Sequence, residues 1–294
     1  MTMKMFVGIA STGRSTIIEA ALQRIAGQTR PADRVLVCTP DNEEYAVDEA
    51  AFGLPITHMK YRKGSCSQRN AILDTLASES GILLIIDDDF LLHPSYLARL
   101  EELATRHADV ALFNGTILKD GIIGPGLSVG EADAILSGHR MDTGAPPRIA
   151  DRASAYGCNM AIRLEHSRSV RFDENLPLYG WQEDVDFSCR LSRFGRIVET
   201  SAVSGVHLGV KHGRTSGVRF GYSQVINPIY LARKRTMRLG HVLNIVARNV
   251  LMNTLRSTRP EPYIDRRGRL KGNILAARDF IRGRIDPLRV LQIE

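Results

Sequence analysis

The chain has 294 residues, 44% of them hydrophobic and 24% charged, with a formal net charge of +7. Those values fit a soluble globular protein with one large domain, or one plus a small appendage, and no stretch approaches the length of a membrane span. The four cysteines (Cys38, Cys66, Cys158 and Cys189) lack zinc-site spacing and read as reduced thiols of a cytosolic protein.

In chain order, the first hundred residues alternate strand and helix signals. Phe6–Ala10 is an apolar strand and reads as the start of a fold rather than a signal peptide. Thr16-Ile17-Ile18-Glu19 has a capping-box pattern, and Ile18, Leu22 and Ile25 recur at helical spacing up to Gly27. Arg34–Thr39 predicts a second strand, Glu44–Ala51 a short helix and Ile56–Tyr61 a third strand. Ser65-Cys66-Ser67-Gln68 is a second capping-box pattern, opening a helix to Ala77. Ile82–Ile86 is a run of five apolar residues, as in a strand buried on both faces. A helix over Pro94–His107 and a strand over Asp109–Phe113 follow. Alternation at these lengths predicts a mostly parallel sheet with helices on both faces.

From Gly115 to Pro147 recurrent glycine and proline predict a long mobile segment with one helix near Glu131–Leu136, of the kind that forms lids or binding loops. Order returns at Ala155. Helices are predicted over Glu183–Phe194, Leu239–Leu255 and Leu270–Arg282.

Four constellations carry chemistry. Asp87-Asp88-Asp89 closes the apolar strand 82–86, at the strand end where parallel sheets place ligands. Asp87 and Asp89 fall on one side of an extended chain, and two hard oxygen ligands suit Mg²⁺ or Mn²⁺ bridging a diphosphate. Glu183-Asp184-Val185-Asp186 crowds acids into the first turn of a helix beside Trp181, the only tryptophan. Pairing with the helix dipole accounts for one or two of these acids. A carboxylate within reach of a hydroxyl can also act as a general base, and the indole suits a sugar ring. His207 and His212 follow, and either could complete a metal shell begun by carboxylates. In Lys63-Gly64-Ser65-Cys66-Ser67-Gln68-Arg69-Asn70 a glycine precedes a helix N-terminus that can receive anions, with Arg69 placed to bind phosphate or to pair with the acids.

Charge is unevenly spread. Residues 229–294 hold 15 Lys and Arg against 5 Asp and Glu, whereas the remainder holds 24 against 27. The basic residues accompany Leu239, Leu243, Val246 and Val250 at helical spacing. Such a region is either a helix packed on the body with a solvated basic face or a contact for an anionic membrane surface. The slightly acidic body and the lack of an aromatic–basic pattern argue against nucleic acid.

Taken together, these motifs resemble the family 2 glycosyltransferases of the GT-A fold. Ser11-Thr12-Gly13-Arg14 resembles that family's turn after the first strand. Gln28-Thr29-Arg30-Pro31 resembles its Gln-x-x-Pro segment, Gly64 with Arg69-Asn70 its Gly-x-x-x-x-Arg-Asn motif, and Asp87-Asp88-Asp89 its Asp-x-Asp motif. Gly157-Cys158-Asn159-Met160, Phe172-Asp173-Glu174 and Glu183-Asp184 resemble its acceptor-side block. The likeness runs over residues 4–235. It implies an α/β, Rossmann-like nucleotide-diphospho-sugar transferase fold over 1–228, with a nucleotide-sugar half (1–114), an acceptor half (115–228), and a basic helical extension over 229–294.

The resemblance also implies roles. Asp184 would be the base of an inverting transfer, with Glu183 its rival. Asp89, Asp87 and His207 would hold Mn²⁺ or Mg²⁺, with His212 the alternative to His207. Ala10, Ser11, Arg14, Asp41, Gly64, Arg69, Asp87 and Asp88 would line the nucleotide-sugar pocket, and Trp181 and Asn159 would meet the acceptor. The donor would be a nucleotide-diphosphate sugar, a UDP-sugar first, and the acceptor a glycan or lipid-linked glycan of bacterial polysaccharide or glycolipid synthesis. The enzyme would be cytoplasmic or peripheral on the inner face of the membrane. The alternatives are a nucleotidyltransferase acting on sugar phosphates, for which the turn at Arg14 lacks lysine and has one glycine, and a non-catalytic binder of anionic partners through the tail.

Overall fold

The computed structural model describes residues 3–12, 14–140, 146–211 and 216–293; Gly13, His212 and Arg214 lie outside the described residues. A single nine-stranded sheet organises the body. Its first half comprises β1 (Met5–Ala10), β2 (Arg34–Pro40), β3 (Ile56–Tyr61) and β4 (Ile82–Asp87), with α1 (Ser15–Ala26) and α2 (Ser65–Thr75) as crossovers. These strands pair in the order β3-β2-β1-β4, all parallel. Next come β5 (Phe90–Leu92), α3 (Tyr96–Arg106), β6 (Val110–Asp120), α4 (Val129–Gly138), β7 (Ile149–Asp151), β8 (Asn159–Arg163), the single turn α5 (Leu164–Ser167), α6 (Glu183–Leu191) and β9 (Arg196–His207). β8 enters antiparallel between β4 and β6; β9 runs parallel to β6, and short β5 and β7 pair antiparallel with β9. Six of the nine strands therefore point the same way, and the sheet is mostly parallel.

Alternation along each strand divides the core. In β4, Ile82, Leu84 and Ile86 pack into one apolar cluster with Ile18, Leu22 and Ile25 of α1 and Leu97 and Leu100 of α3. Leu83 and Ile85 point into the opposite cluster with Ile72 of α2 and Phe187 and Leu191 of α6. All five residues are fully buried, and each contributes roughly 1.5–3 kcal/mol by leaving water. This is why the run 82–86 is continuous rather than alternating, and why β4 holds its terminal acids in a fixed place.

Several expectations are revised. Glu44–Ala51 is not a helix; a short 3₁₀ turn occupies Glu49–Phe52. Neither expected capping box forms at the first two helices. α1 starts at Ser15 after Arg14, with no side-chain cap. α2 starts after Gly64, whose φ of 144° is open to glycine and strained for any other residue. A true capping box occurs where none was expected, between Ser128 and Glu131 at the start of α4. The segment 115–147, expected to be long and mobile, is largely regular: β6 runs on to Asp120, a 3₁₀ turn covers Gly121–Ile123, and α4 fills Val129–Gly138. Residues 141–145 lie outside the described residues.

At the C-terminal end α7 (Gly217–Arg233), α8 (Leu239–Arg256) and α9 (Arg266–Ile281) form a three-helix unit. The expected boundary at 228/229 falls inside α7, at a proline that the helix accommodates. Its interior is partly polar. Gln224 joins Asn249 at 3.1 Å and Asn253 at 2.9 Å, and Asn253 reaches Asn273 at 2.9 Å. The unit is tied to the body through Lys234, whose ammonium donates to Asp173 at 2.5 Å and Asp186 at 2.9 Å. No helix among the described residues is long and apolar enough to cross a membrane.

Candidate active site

Four strand ends supply the first part of the site. β1 and β4 finish side by side, so Ala10 is the register partner of Asp87. β9 finishes at His207, the register partner of both Asp120 at the end of β6 and Phe90 just after Asp89. Ligand atoms of Asp87, Asp89 and His207 all lie within 4.8 Å of one another. His207 Nε2 is 3.3 Å from Asp89 Oδ1, and Nδ1 is 2.9 Å from Asp120 Oδ1. Asp89 also accepts from the Val210 amide at 2.8 Å. Burial alone would raise Asp89, but the hydrogen bond and charge of His207, then Arg14 and the Val210 amide, hold it below the usual carboxylate range. Burial likewise works against a charged His207, yet Asp120 and Asp89 raise it to about 10. Two carboxylates and an imidazole whose second nitrogen is fixed by an acid form a donor set that fits Mn²⁺ or Mg²⁺.

Asp88 behaves differently from its neighbours. It is buried, and its oxygens accept from Ser11 Oγ and from the Arg14 guanidinium, with Arg14 Nε at 3.0 Å. Burial raises its pKa and Arg14 opposes that rise. Asp88 therefore braces the turn after β1, and the expectation that it meets the nucleotide directly is revised. Arg14 and Ser11 turn their side chains toward Asp88 at the same turn.

The second part of the site is the start of α6. It follows a tight loop in which Leu178 (φ 60°), Gly180 (φ 70°) and Gln182 (φ 73°) all take left-handed conformations. The two non-glycine residues store roughly 1–3 kcal/mol each. The loop is held in place by Ser65 N–H donating to Leu178 O at 2.9 Å, Ser65 Oγ to Tyr179 O at 3.1 Å, and Asn227 Nδ2 to Trp181 O at 2.9 Å. Asp184 accepts from the Gly157 amide at 3.0 Å and from the Val185 amide at 2.8 Å. A Cβ at Gly157 would lie 3.1 Å from Glu183 Oε1 and 3.5 Å from Asp184 Oδ2, so the absent side chain makes room for both acids. Burial, then the neighbouring Asp184, pushes Glu183 up despite Arg69; burial also raises Asp184 against its two amides.

Arg69 joins the two parts. Its buried guanidinium donates to Asp87 at 2.8 Å, to Glu183 and to Gly157 O at 3.2 Å. Each residue of the run Gln68-Arg69-Asn70 ties α2 to a different segment. Gln68 Nε2 reaches Ser11 O and Cys38 O, both at 2.7 Å. Asn70 pins Phe172, donating to its carbonyl at 3.0 Å and accepting from its amide at 2.7 Å. Gly64, 3.4 Å from Gln68 through its amide, and exposed Asp41, at the end of β2, flank the strand-end edge.

Trp181 is half-buried and forms an edge contact with Phe220 at 5.2 Å, while Tyr179 stacks alongside at 6.4 Å and stays 46% exposed. Asn159 does not belong to this surface. It is fully buried, and its side chain bonds to Asn114 at 2.6 Å and to Gly115 N at 3.0 Å, pinning β8 to β6. Its expected role at an acceptor is revised. Asp120 and Tyr156, whose hydroxyl donates to Asp120 at 3.2 Å, were not expected. Asp120 ends β6 after Thr116-Ile117-Leu118-Lys119, inside the stretch whose glycines and prolines hid the strand's second half from a sequence reading.

No family model and no curated protein sequence matches the chain. Solved structures do. S. aureus TarS 1–349 in complex with UDP-GlcNAc is 15% identical with a TM-score of 0.54, covering 98% of this chain and 83% of that one. GalNAc-T7 with UDP, GalNAc and Mn²⁺ is 11% identical with a TM-score of 0.55, covering 99% and 57%. The mannosyltransferase PcManGT from Pyrobaculum calidifontis, with GDP-Man and Mn²⁺, is 14% identical with a TM-score of 0.52, covering 99% and 79%. A longer S. aureus TarS structure is matched over 44% of its length, so this chain spans less than half of it. The chain has the GT-A fold of these glycosyltransferases.

Proposed function

We propose that this chain is a metal-dependent, inverting glycosyltransferase of the family 2 type, moving a hexose from a nucleotide-diphosphate sugar to an acceptor hydroxyl. The observation that carries the reading is the single guanidinium of Arg69 joining Asp87 of the cation site to Glu183 of the acid pair. One arginine spans the two, so a donor diphosphate and an acceptor hydroxyl would lie within one sugar of each other.

Asp87, Asp89 and His207 would hold Mn²⁺ or Mg²⁺. The bound cation neutralises charge on the departing nucleotide diphosphate. Asp120, by holding His207 Nδ1, turns Nε2 toward the cation position. The acceptor oxygen attacks the anomeric carbon opposite the diphosphate. The new C–O bond forms as the bond to phosphate oxygen breaks, the electron pair leaves with the diphosphate, and the hydroxyl proton passes to Asp184. Asp184 is preferred over Glu183 because Arg69 already occupies Glu183. Tyr179 and Trp181 would carry the acceptor ring. Ala10, Asp41 and Gly64 along the strand-end edge would receive the nucleotide.

UDP-sugars rank first as donors, supported by the UDP ligands of TarS and GalNAc-T7, with GDP-mannose next on the example of PcManGT. The acceptor is a glycan or lipid-linked glycan in cytoplasmic or inner-leaflet bacterial polysaccharide or glycolipid synthesis. The test is a melting screen with UDP, GDP and dTDP, each with and without Mn²⁺. A bound nucleotide at 100 times its Kd stabilises the fold by about 2.7 kcal/mol. One nucleotide should raise Tm only when Mn²⁺ is present, and Asp89→Ala should abolish the rise. If none of the three gives a Mn²⁺-dependent shift, the reading fails.

A further inference from the structure

Among the described residues, ten of the fifteen exposed large hydrophobic side chains lie between Leu239 and Leu291, the last fifth of the chain. The concentration is sharpest on α8. Its inner side is accounted for: Val242 and Asn253 are buried, and Val246 and Val250 pack on the core. Leu243, Leu251 and Leu255 nevertheless expose 64%, 57% and 62% of their surface, with exposed Ala247 completing the i, i+4 row. From Leu239 (66% exposed) to Leu255 the row runs about 24 Å along the helix. An ordinary surface helix carries polar residues there. α8 thus has two apolar sides, only one of which folds it.

The charge around this row selects the partner. Arg238, Arg248 and Arg259 are exposed on or beside α8. The four described acids of the region each have a partner of their own. Glu261 pairs with Arg256 and Arg266, and Asp279 is buried against Tyr222 and Arg289. Asp265 and Asp286 cap the amides of Gly268 and Leu288. The outer arginines therefore have no acidic counterpart in their own region, and the face is apolar and cationic at once. A second copy of the same face would bring arginines onto arginines. An anionic bilayer accepts both features, taking leucines among its acyl boundaries and arginines against its phosphates.

We propose that α8 lies flat on an anionic lipid surface through Leu243, Leu251 and Leu255, with Arg248 and Arg259 on the headgroups. This is independent of the catalytic reading, because none of these residues touches the site. The experiment is flotation of the full chain with phosphatidylcholine vesicles, plain or doped with phosphatidylglycerol, across a salt series. The wild type should float with the doped vesicles only, and less as salt rises. Leu251→Glu/Leu255→Glu should lower partitioning by about tenfold or more per leucine, and Arg248→Ala/Arg259→Ala by about fivefold per arginine. Circular dichroism and Tm, unchanged in both variants, confirm that the fold is kept. Equal flotation of the leucine variant and the wild type would overturn the proposal. So would flotation indifferent to phosphatidylglycerol, or a solution dimer that the leucine variant dissociates.

Discussion

On one side of Arg69 lie Asp87 and Asp89, on the other Glu183 and Asp184, and the fold treats Asp89 and the second pair in opposite ways. Asp89 is held ionised by His207, Arg14 and a backbone amide. Glu183 is pushed toward the protonated form by burial and then by Asp184, and Asp184 by burial and then by Asp87. At Asp89 the neighbouring charges and hydrogen bonds outweigh burial, whereas at Glu183 and Asp184 burial wins, so environment sets the direction of each shift. Local backbone supplies the contrast as well. The first pair ends a strand locked by five buried side chains, whereas the second opens a helix after a loop with two non-glycine left-handed residues.

That contrast can be broken from either side. Asp184→Asn should cost about 100- to 10,000-fold in kcat while leaving the Mn²⁺-dependent nucleotide shift in Tm intact. Loss of nucleotide binding instead would mean the two pairs are not separate in function. Asp89→Ala should do the reverse, abolishing the nucleotide shift and lowering kcat/KM by about 100- to 1,000-fold at any Mn²⁺ concentration. Removing the shared partner tests the bridge itself. Arg69→Met leaves Asp87 and Glu183 without their counter-charge and should lower unfolding free energy by about 3–5 kcal/mol in urea. Adding Glu183→Gln should recover part of that loss, and strict additivity of the two changes would argue against the bridge.

Smaller effects sharpen the cation side. Asp120→Asn should weaken Mn²⁺ binding by about 10- to 100-fold, read by calorimetry, with the acid pair's pH profile unmoved. Because His207 is raised to about 10, it must release a proton to bind a metal. Mn²⁺ affinity should therefore climb by up to about tenfold per pH unit between roughly 7 and 9, with proton release visible as a buffer-dependent binding enthalpy. In the metal-free protein the sign reverses. A raised His207 stabilises the fold fully below about pH 6.5, and that contribution is lost as pH rises through about 10. His207→Asn should flatten both dependences.

Much of this was legible in the chain. Runs such as Ile82–Ile86 must be buried on both faces, and acids directly after such a run sit at the sheet's C-terminal edge, so the first four strands and the positions of Asp87 and Asp89 could be read from residue order. Local signals failed where distant segments decide. Gly64, rather than Ser65, caps α2 because loop 178–182 takes the serine's hydroxyl and amide. Asn159 and Asp88 look like ligands in sequence, but the sheet buries them against Asn114 and Arg14. β9 and the return strand β8 went unread. A strand inserted antiparallel between neighbours 73–81 and 46–50 positions away has no local period to announce it. The sequence by itself determined which residue types could do chemistry and where the first four strands run, because period and burial are local properties of the chain. Only the tertiary structure decided which acids share Arg69, which lie within reach of His207, and which side of α8 is left bare, because those depend on contacts between residues far apart along the chain.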